Sequence, residues 1–174
     1  MIYEYFFPDY SHKAVDDIDV QELYESGIRY ALLDIDNTIV PYTSPFPDDK
    51  ALKFLKSLSD NGIRYCFVSN NNKNRVEEFN KYIGVPVYPR AKKPLLFGID
   101  KAMRDFGAVK ENTVLIGDQI FTDIYGGNRM KFYSVLVTAV GKNETNLVAI
   151  KRYFEKLVLR EYRRSLKKQS KQGK

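Results

Sequence analysis

Four short stretches of this chain carry groups that would do chemistry if the fold brought them together. Asp34-Ile35-Asp36-Asn37-Thr38 sets two carboxylates two residues apart, with a hydroxyl close behind. Val68-Ser69-Asn70-Asn71 offers a hydroxyl and main-chain N–H groups, and Lys93 in Lys92-Lys93-Pro94 offers a positive point charge. Gly117-Asp118-Gln119-Ile120-Phe121-Thr122-Asp123 adds two more acids. Clustered carboxylates raise one another's pKa unless a cation compensates. Ligands that are all oxygen favour a hard cation, and a few carboxylates with a phosphate and waters suit Mg2+. A nucleophile, a metal, a hydrogen-bonding cradle and a charge neutraliser are the parts of a phosphoryl-transfer site.

These stretches need a scaffold that gathers them. From Tyr30 onward, short apolar runs alternate with helical patterns. Strands are expected at 30–35, 63–68, 85–88, 113–116 and 134–137. Helices are expected from Pro47-Asp48-Asp49 to Asn61-Gly62 (Ala51, Leu52, Leu55 and Leu58 inward), over 73–83, from Lys93-Pro94 to Phe106-Gly107, from about Phe121, and over 145–166. Pro94 would occupy a first-turn position, where its missing N–H does no harm. Continuous apolar strands alternating with helices predict an α/β fold: a three-layer, Rossmann-like parallel sheet with helices on both faces. Ligands of such sheets bind at the carboxyl ends of the strands. Asp34 and Asp36, Ser69, Lys93, and Asp118 and Asp123 all fall at strand ends or in the loops beyond them.

Asp34-x-Asp36-x-Thr38, Ser69, Lys93 and Gly117-Asp118-x4-Asp123, in that order, resemble the four motifs of the haloacid dehalogenase (HAD) superfamily. The local details (Asp-Asn-Thr, Val-Ser-Asn-Asn, Lys-Lys-Pro, Gly-Asp-Gln then Thr-Asp) are most similar to its subclass IIIA and the YqeG-like phosphatases within it. The resemblance covers about residues 28–140. It implies a phosphoric monoester hydrolase in which Asp34 attacks phosphorus and forms an aspartyl-phosphate. Asp36 would protonate the leaving oxygen and then activate water. Asp34, the main-chain carbonyl of Asp36 and Asp118 would bind Mg2+, with Asp123 assisting directly or through a bound water. Ser69 and the N–H of Asn70 would hold phosphoryl oxygens, Lys93 would balance charge, and Thr38 would brace the loop more than touch substrate.

The connections also restrict the substrate. Only 30 residues separate Thr38 from Ser69 and 23 separate Ser69 from Lys93, so no cap domain fits. A flap of residues 39–47 remains, with three prolines and with Tyr42 and Phe46 as candidate substrate contacts. An uncapped site suits a phosphate on something bulky, a phospholipid such as phosphatidylglycerophosphate among the candidates, or a homo-oligomer whose neighbour completes the pocket.

The 174 residues are expected to form one HAD-like domain with a basic helix and tail at about 145–174. Residues 151–174 hold ten Lys/Arg and two acids, so the net charge of +6 is a property of the tail. The tail reads either as a solubilising helix end or as a contact for an anionic membrane surface or RNA, and the alternative reading of the whole chain is an RNA- or ribosome-associated binding module on a phosphatase scaffold. One cysteine (Cys66) excludes an internal disulfide framework, and one histidine (His12) excludes a multi-histidine metal site. Cys66 reads as a packed core thiol and His12 receives no role. Gly126-Gly127 reads as a place of close packing or a turn. With no apolar run of ~18 residues and no signal-peptide pattern, the expected location is cytoplasmic, with peripheral membrane attachment as its extension.

Overall fold

A computed structural model of the chain describes residues 2–141, 155 and 157–164. Its strands are β1 (Tyr10–His12), β2 (Tyr30–Leu33), β3 (Arg64–Val68), β4 (Val87–Tyr88), β5 (Thr113–Gly117) and β6 (Tyr133–Val137). All pair in parallel, in the order β1-β6-β5-β2-β3-β4. The helices are α1 (Val20–Glu25), α2 (Asp49–Asp60), α3 (Lys73–Asn80), α4 (Leu96–Phe106) and α5 (Tyr125–Met130).

Alternate residues of the central strands feed two cores, as a sheet covered on both faces requires. Leu33, Phe67, Ile116 and Val135 meet Phe54, Leu55 and Leu58 of α2 and Val76 and Phe79 of α3. Leu32, Cys66, Val68 and Leu115 meet Ile99, Ala102, Met103 and Phe106 of α4 on the other face. The architecture is therefore the three-layer α/β, Rossmann-like fold. Gly126 and Gly127 lie within α5, where added Cβ atoms would sit 3.0 Å from Ile99 Cδ1 and 3.3 Å from Leu115 Cβ. Their bareness is a packing requirement of α5 against α4 (Gly126) and against the sheet (Gly127).

The helix boundaries follow local chemistry. Asp48 caps α2 by accepting from the Ala51 N–H at 2.8 Å, and Asn72 caps α3 by accepting from the Arg75 N–H at 3.0 Å. α4 ends at Gly107, in the left-handed conformation glycine tolerates (φ 68°). The structure corrects several expectations. α2 buries Phe54 and leaves Leu52 exposed. α3 stops at Asn80, short of 83. α4 begins at Leu96, so Pro94 precedes the helix, and the Lys93–Pro94 bond is cis. The residues before α4 form a turn closed by Leu95 N–H to Lys92 O (2.8 Å). The segment from 120 opens as a π-helical turn (Ile120–Ile124) before α5. β1 is an additional strand, pairing Tyr10 with Val135 through His12 with Val137.

Of the helix expected over 145–166, residues 145–154, 156, 165 and 166 lie outside the described residues, as do Lys151, Arg152, Lys156 and the cations from 167 onward. Residues 157–164 are helical. Val158 and Leu159 pack on Ile120, Ile124 and Leu136, while Leu157 is exposed. No helix among the described residues is long and apolar enough to cross a membrane.

Candidate active site

Strand register gathers the site. Leu33 of β2 is level with Phe67 of β3 and Ile116 of β5, and Val68 is level with Tyr88 of β4. One step further along parallel strands, Asp34 and Gly117 come level, with Ser69 and Asp118 just beyond. The Asp34 N–H donates to Ile116 O at 3.0 Å, fixing that step. After β2 the chain turns tightly: the N–H groups of Thr38, Ile39 and Val40 all approach Ile35 O at 3.2, 2.9 and 3.3 Å, and Asn37 adopts φ 61°.

Asp34, Asp118 and Asp123 are buried, and each offers a carboxylate oxygen within 4.8 Å of the others. Lys93, 5% exposed, lies among them. Its Nζ is 2.8 Å from Asp34 Oδ1 and 2.6 Å from Asp123 Oδ1. Burial pushes Asp34 up, Lys93 pulls it back, and Asp123 and Asp118 push it up again, leaving it at about 8. Burial alone would lower the Lys93 ammonium, but Asp123 and Asp34 outweigh it and hold Lys93 above its ordinary value. The lysine is therefore charged, and three acids converge on it.

Each member is braced. Thr38 Oγ1 donates to Asp118 Oδ1 at 3.2 Å. Asp123 Oδ2 accepts from the Gln119 N–H at 3.1 Å and from Thr122 Oγ1 at 3.3 Å. Gly117 makes this possible, since a Cβ there would lie 2.3 Å from Asp123 Cγ. The Asn70 side chain clamps the Lys93 backbone, accepting from its N–H at 2.6 Å and donating to its carbonyl at 2.9 Å. Ser69 is buried, and its Oγ accepts from the Asn71 N–H at 3.1 Å. Lys92, Lys93's neighbour, is exposed. Glu155 ties the C-terminal helix to this region by accepting from the Ile120 N–H at 2.8 Å.

The Asp36 carboxylate stands outside the acidic cluster. Arg75 of α3 holds its Oδ1 through Nε (3.1 Å) and Nη2 (2.9 Å), and Asn71 Nδ2 donates to its Oδ2 at 3.0 Å. Arg75 Nη1 also donates to Pro45 O of the flap at 3.1 Å. Sequence reasoning missed Arg75 and Asn71. The available signal was an arginine three residues past an Asn cap, in the first turn of the helix that follows Ser69. Phe46 leans on Tyr82 with ring centroids 6.0 Å apart, and Tyr42 remains open to solvent. Cys66 is fully buried and its thiol is pushed up to about 12 by that burial. Between Thr38 and Ser69 the chain holds α2 and β3, and between Ser69 and Lys93 α3 and β4, with no cap inserted.

Comparison with known proteins agrees with this geometry. Residues 91–158 match the HAD-hydrolase-like family. Over 159 residues the chain is 31% identical to Probable phosphatase YqeG of Bacillus subtilis (strain 168), covering 91% of this chain and 92% of that protein. It is 26% identical over 176 residues to Phosphatidylglycerophosphate phosphatase 1, chloroplastic/mitochondrial, of Arabidopsis thaliana, covering 94% of this chain and 50% of that protein, and so spans half of that relative. A crystal structure of an uncharacterized protein from Listeria monocytogenes serotype 4b shares the fold, with a TM-score of 0.55 at 15% identity over 67% of this chain and 84% of that one. Sequence identity along nearly the full length of YqeG, on a Rossmann-like sheet with its acids at the carboxyl edge, means that this chain belongs to the haloacid dehalogenase superfamily, among its YqeG-like phosphatases.

Proposed function

We propose that this phosphatase hydrolyses a phosphomonoester through an aspartyl-phosphate on Asp34, with Mg2+ as its ion. The observation that carries the reading is the buried Lys93 ammonium between the Asp34 and Asp123 carboxylates, with Asp118 beside them. The donors fit the ion: the three side chains are carboxylates, all are buried, and the burial and mutual repulsion that push Asp34 up are what a bound cation would relieve. Asp34, Asp118 and the main-chain carbonyl of Asp36 would hold it, with Asp123 assisting. When bound it would neutralise charge on the carboxylates and on the phosphoryl oxygens.

The chain's own groups divide the remaining work. Ser69 and the Asn70 N–H hold phosphoryl oxygens, and Lys93 offsets the charge that arrives with them. A carboxylate oxygen of Asp34 attacks phosphorus, the bond to the ester oxygen breaks, and that oxygen takes a proton from Asp36. Water then attacks phosphorus while Asp36 takes its proton. The bond to Asp34 breaks, releasing inorganic phosphate and restoring the carboxylate. Thr38 keeps Asp118 in place throughout.

The absence of a cap between the motifs supports a substrate whose phosphate sits on a bulky group. The likeness to a phosphatidylglycerophosphate phosphatase supports a phospholipid. Phosphate release from p-nitrophenyl phosphate should require Mg2+, stop with EDTA and vanish in Asp34→Asn. Turnover by Asp34→Asn equal to wild type ends the mechanism. Release from soluble phosphomonoesters with none from phosphatidylglycerophosphate in vesicles ends the lipid assignment alone. We further propose that the exposed Arg160 and Arg163 belong to a basic segment that meets polyanions, RNA included. Retention on heparin that is insensitive to salt would count against this.

A further inference from the structure

The segment that carries Lys93 turns its neighbours the other way. Lys93 is buried, yet Arg90, Lys92, Leu95 and Phe97 are exposed, Leu95 to 59% and Phe97 to 74%. Arg90 and Lys92 adopt φ 52° and 56°, a left-handed conformation that non-glycine residues seldom take. Among the described residues no carboxylate pairs with either cation. Beside them, β4 and α4 enclose an open groove of about 400 Å³, lined by Tyr88, Arg90, Ala91, Phe97 and, at its far side, the paired Lys101 and Asp105. The Ala91 N–H donates to Ser69 O at 3.0 Å, so this groove backs directly onto the loop that follows β3.

The composition of the segment is as informative as its exposure. From Pro86 to Ile99 there is no acid and no Ser, Thr, Asn or Gln. Unpaired cations beside exposed apolar side chains match the boundary between anionic headgroups and acyl chains.

We propose that Arg90, Lys92, Leu95 and Phe97 form a docking rim, at the carboxyl edge of the sheet, that rests on an anionic phospholipid surface. Leu95 and Phe97 enter the acyl boundary while Arg90 and Lys92 meet the headgroups. The benefit of docking there rests on the lipid-phosphate reading above; the docking itself is tested without turnover.

The chain contains no tryptophan, so Phe97→Trp gives a single indole reporter at the rim. Val109→Trp serves as the control, because Val109 is exposed ahead of the amino end of β5, at the opposite edge of the sheet. With vesicles of phosphatidylcholine and phosphatidylglycerol, Phe97→Trp emission should move to shorter wavelength and be quenched by brominated lipid, while Val109→Trp stays unchanged. Adding Arg90→Gln and Lys92→Gln to the reporter should weaken partitioning about fivefold for each cation removed. The proposal is overturned by an unshifted Phe97→Trp spectrum, by an equal shift in Val109→Trp, or by equal partitioning onto phosphatidylcholine alone. A shift that tracks protein concentration without vesicles also overturns it, assigning the face to a second copy of the chain. Loss of phosphate release from phospholipid with the spectral shift intact would instead count against the substrate reading.

Discussion

Replacing Asp34 by Asn should flatten the pH dependence of stability in metal-free protein and remove most of the response to Mg2+. In the fold, burial first, and then Asp123 and Asp118, hold Asp34 at about 8 against the pull of Lys93, whereas its ordinary value is 3.8. Between those two values the folded protein keeps a proton that the unfolded chain has released. Stability from this group therefore falls as pH rises, by about 1.4 kcal/mol per pH unit. At about 2–4 °C per kcal/mol for a chain of this length, that is about 3–6 °C per pH unit in EDTA. Other groups titrate as well, so the quantity to follow is the Tm of Asp34→Asn minus that of wild type, which should grow as pH is raised toward about 8. A divalent ion reverses the trend in wild type, because it takes the place of the proton. At a hundredfold excess over its Kd, Mg2+ adds about 2.7 kcal/mol, or about 5–11 °C, and more of that gain should appear at higher pH. Differential scanning fluorimetry of both proteins across pH, with EDTA and with Mg2+, reads all of this. A Tm difference that stays flat with pH, together with equal Mg2+ shifts in the two proteins, would refute the electrostatic account of the cluster.

Two further substitutions test the bracing. Gly117→Ala places a Cβ where Asp123 Cγ would be 2.3 Å away, so the Asp123–Lys93 pair must shift. We expect a loss of about 1–3 kcal/mol by urea denaturation and at least a tenfold fall in kcat for phosphate release. Arg75→Lys cannot reproduce the three contacts that Arg75 makes with Asp36 and Pro45 O. With the Arg75 and Asp36 side chains only 13% and 14% exposed, kcat should fall about tenfold while the denaturation midpoint stays close to wild type, and unchanged kcat would remove Arg75 from the account.

The central strands were legible because each is buried on both faces and reads as an unbroken apolar run. Their polar ends marked where Asp34, Ser69 and Asp118 would meet, and the register brought those ends level. β1 was not legible: Tyr10-Ser11-His12 is three residues long and mostly exposed, and only its pairing with β6 makes it a strand. Pro94 misled for a physical reason. A proline before a helical pattern suits the first turn, but here the chain turns through Lys92–Leu95 first, and that turn faces Lys93 inward. Arg75 was hidden because a cation on a polar helix reads as a solvated face. Its role depends on Asp36, 39 residues earlier. The Lys93–Asp123 pair was equally out of reach, since both residues could be singled out by type while their contact exists only across the folded edge.

The loop around Lys93 is held far more firmly than its irregular shape suggests. Asn70 binds both the N–H and the carbonyl of Lys93, Ala91 binds Ser69 O, and Arg129 Nη1 donates to Pro94 O at 3.3 Å. Gly98 lets α4 press on the same segment, since a Cβ there would lie 2.3 Å from Ala91 O. Burying an ammonium between two carboxylates is favourable only when its geometry is fixed, because a displaced charge in that interior would be left uncompensated. The same fixing sets the outward side chains. Once the backbone from 90 to 95 is determined by the needs of Lys93, the directions of Arg90, Lys92 and Leu95 are determined with it. The proposed docking rim and the buried lysine are then two faces of one rigid segment. Changes at the exposed positions should separate the two, whereas loosening the Asn70 clamp should damage both together.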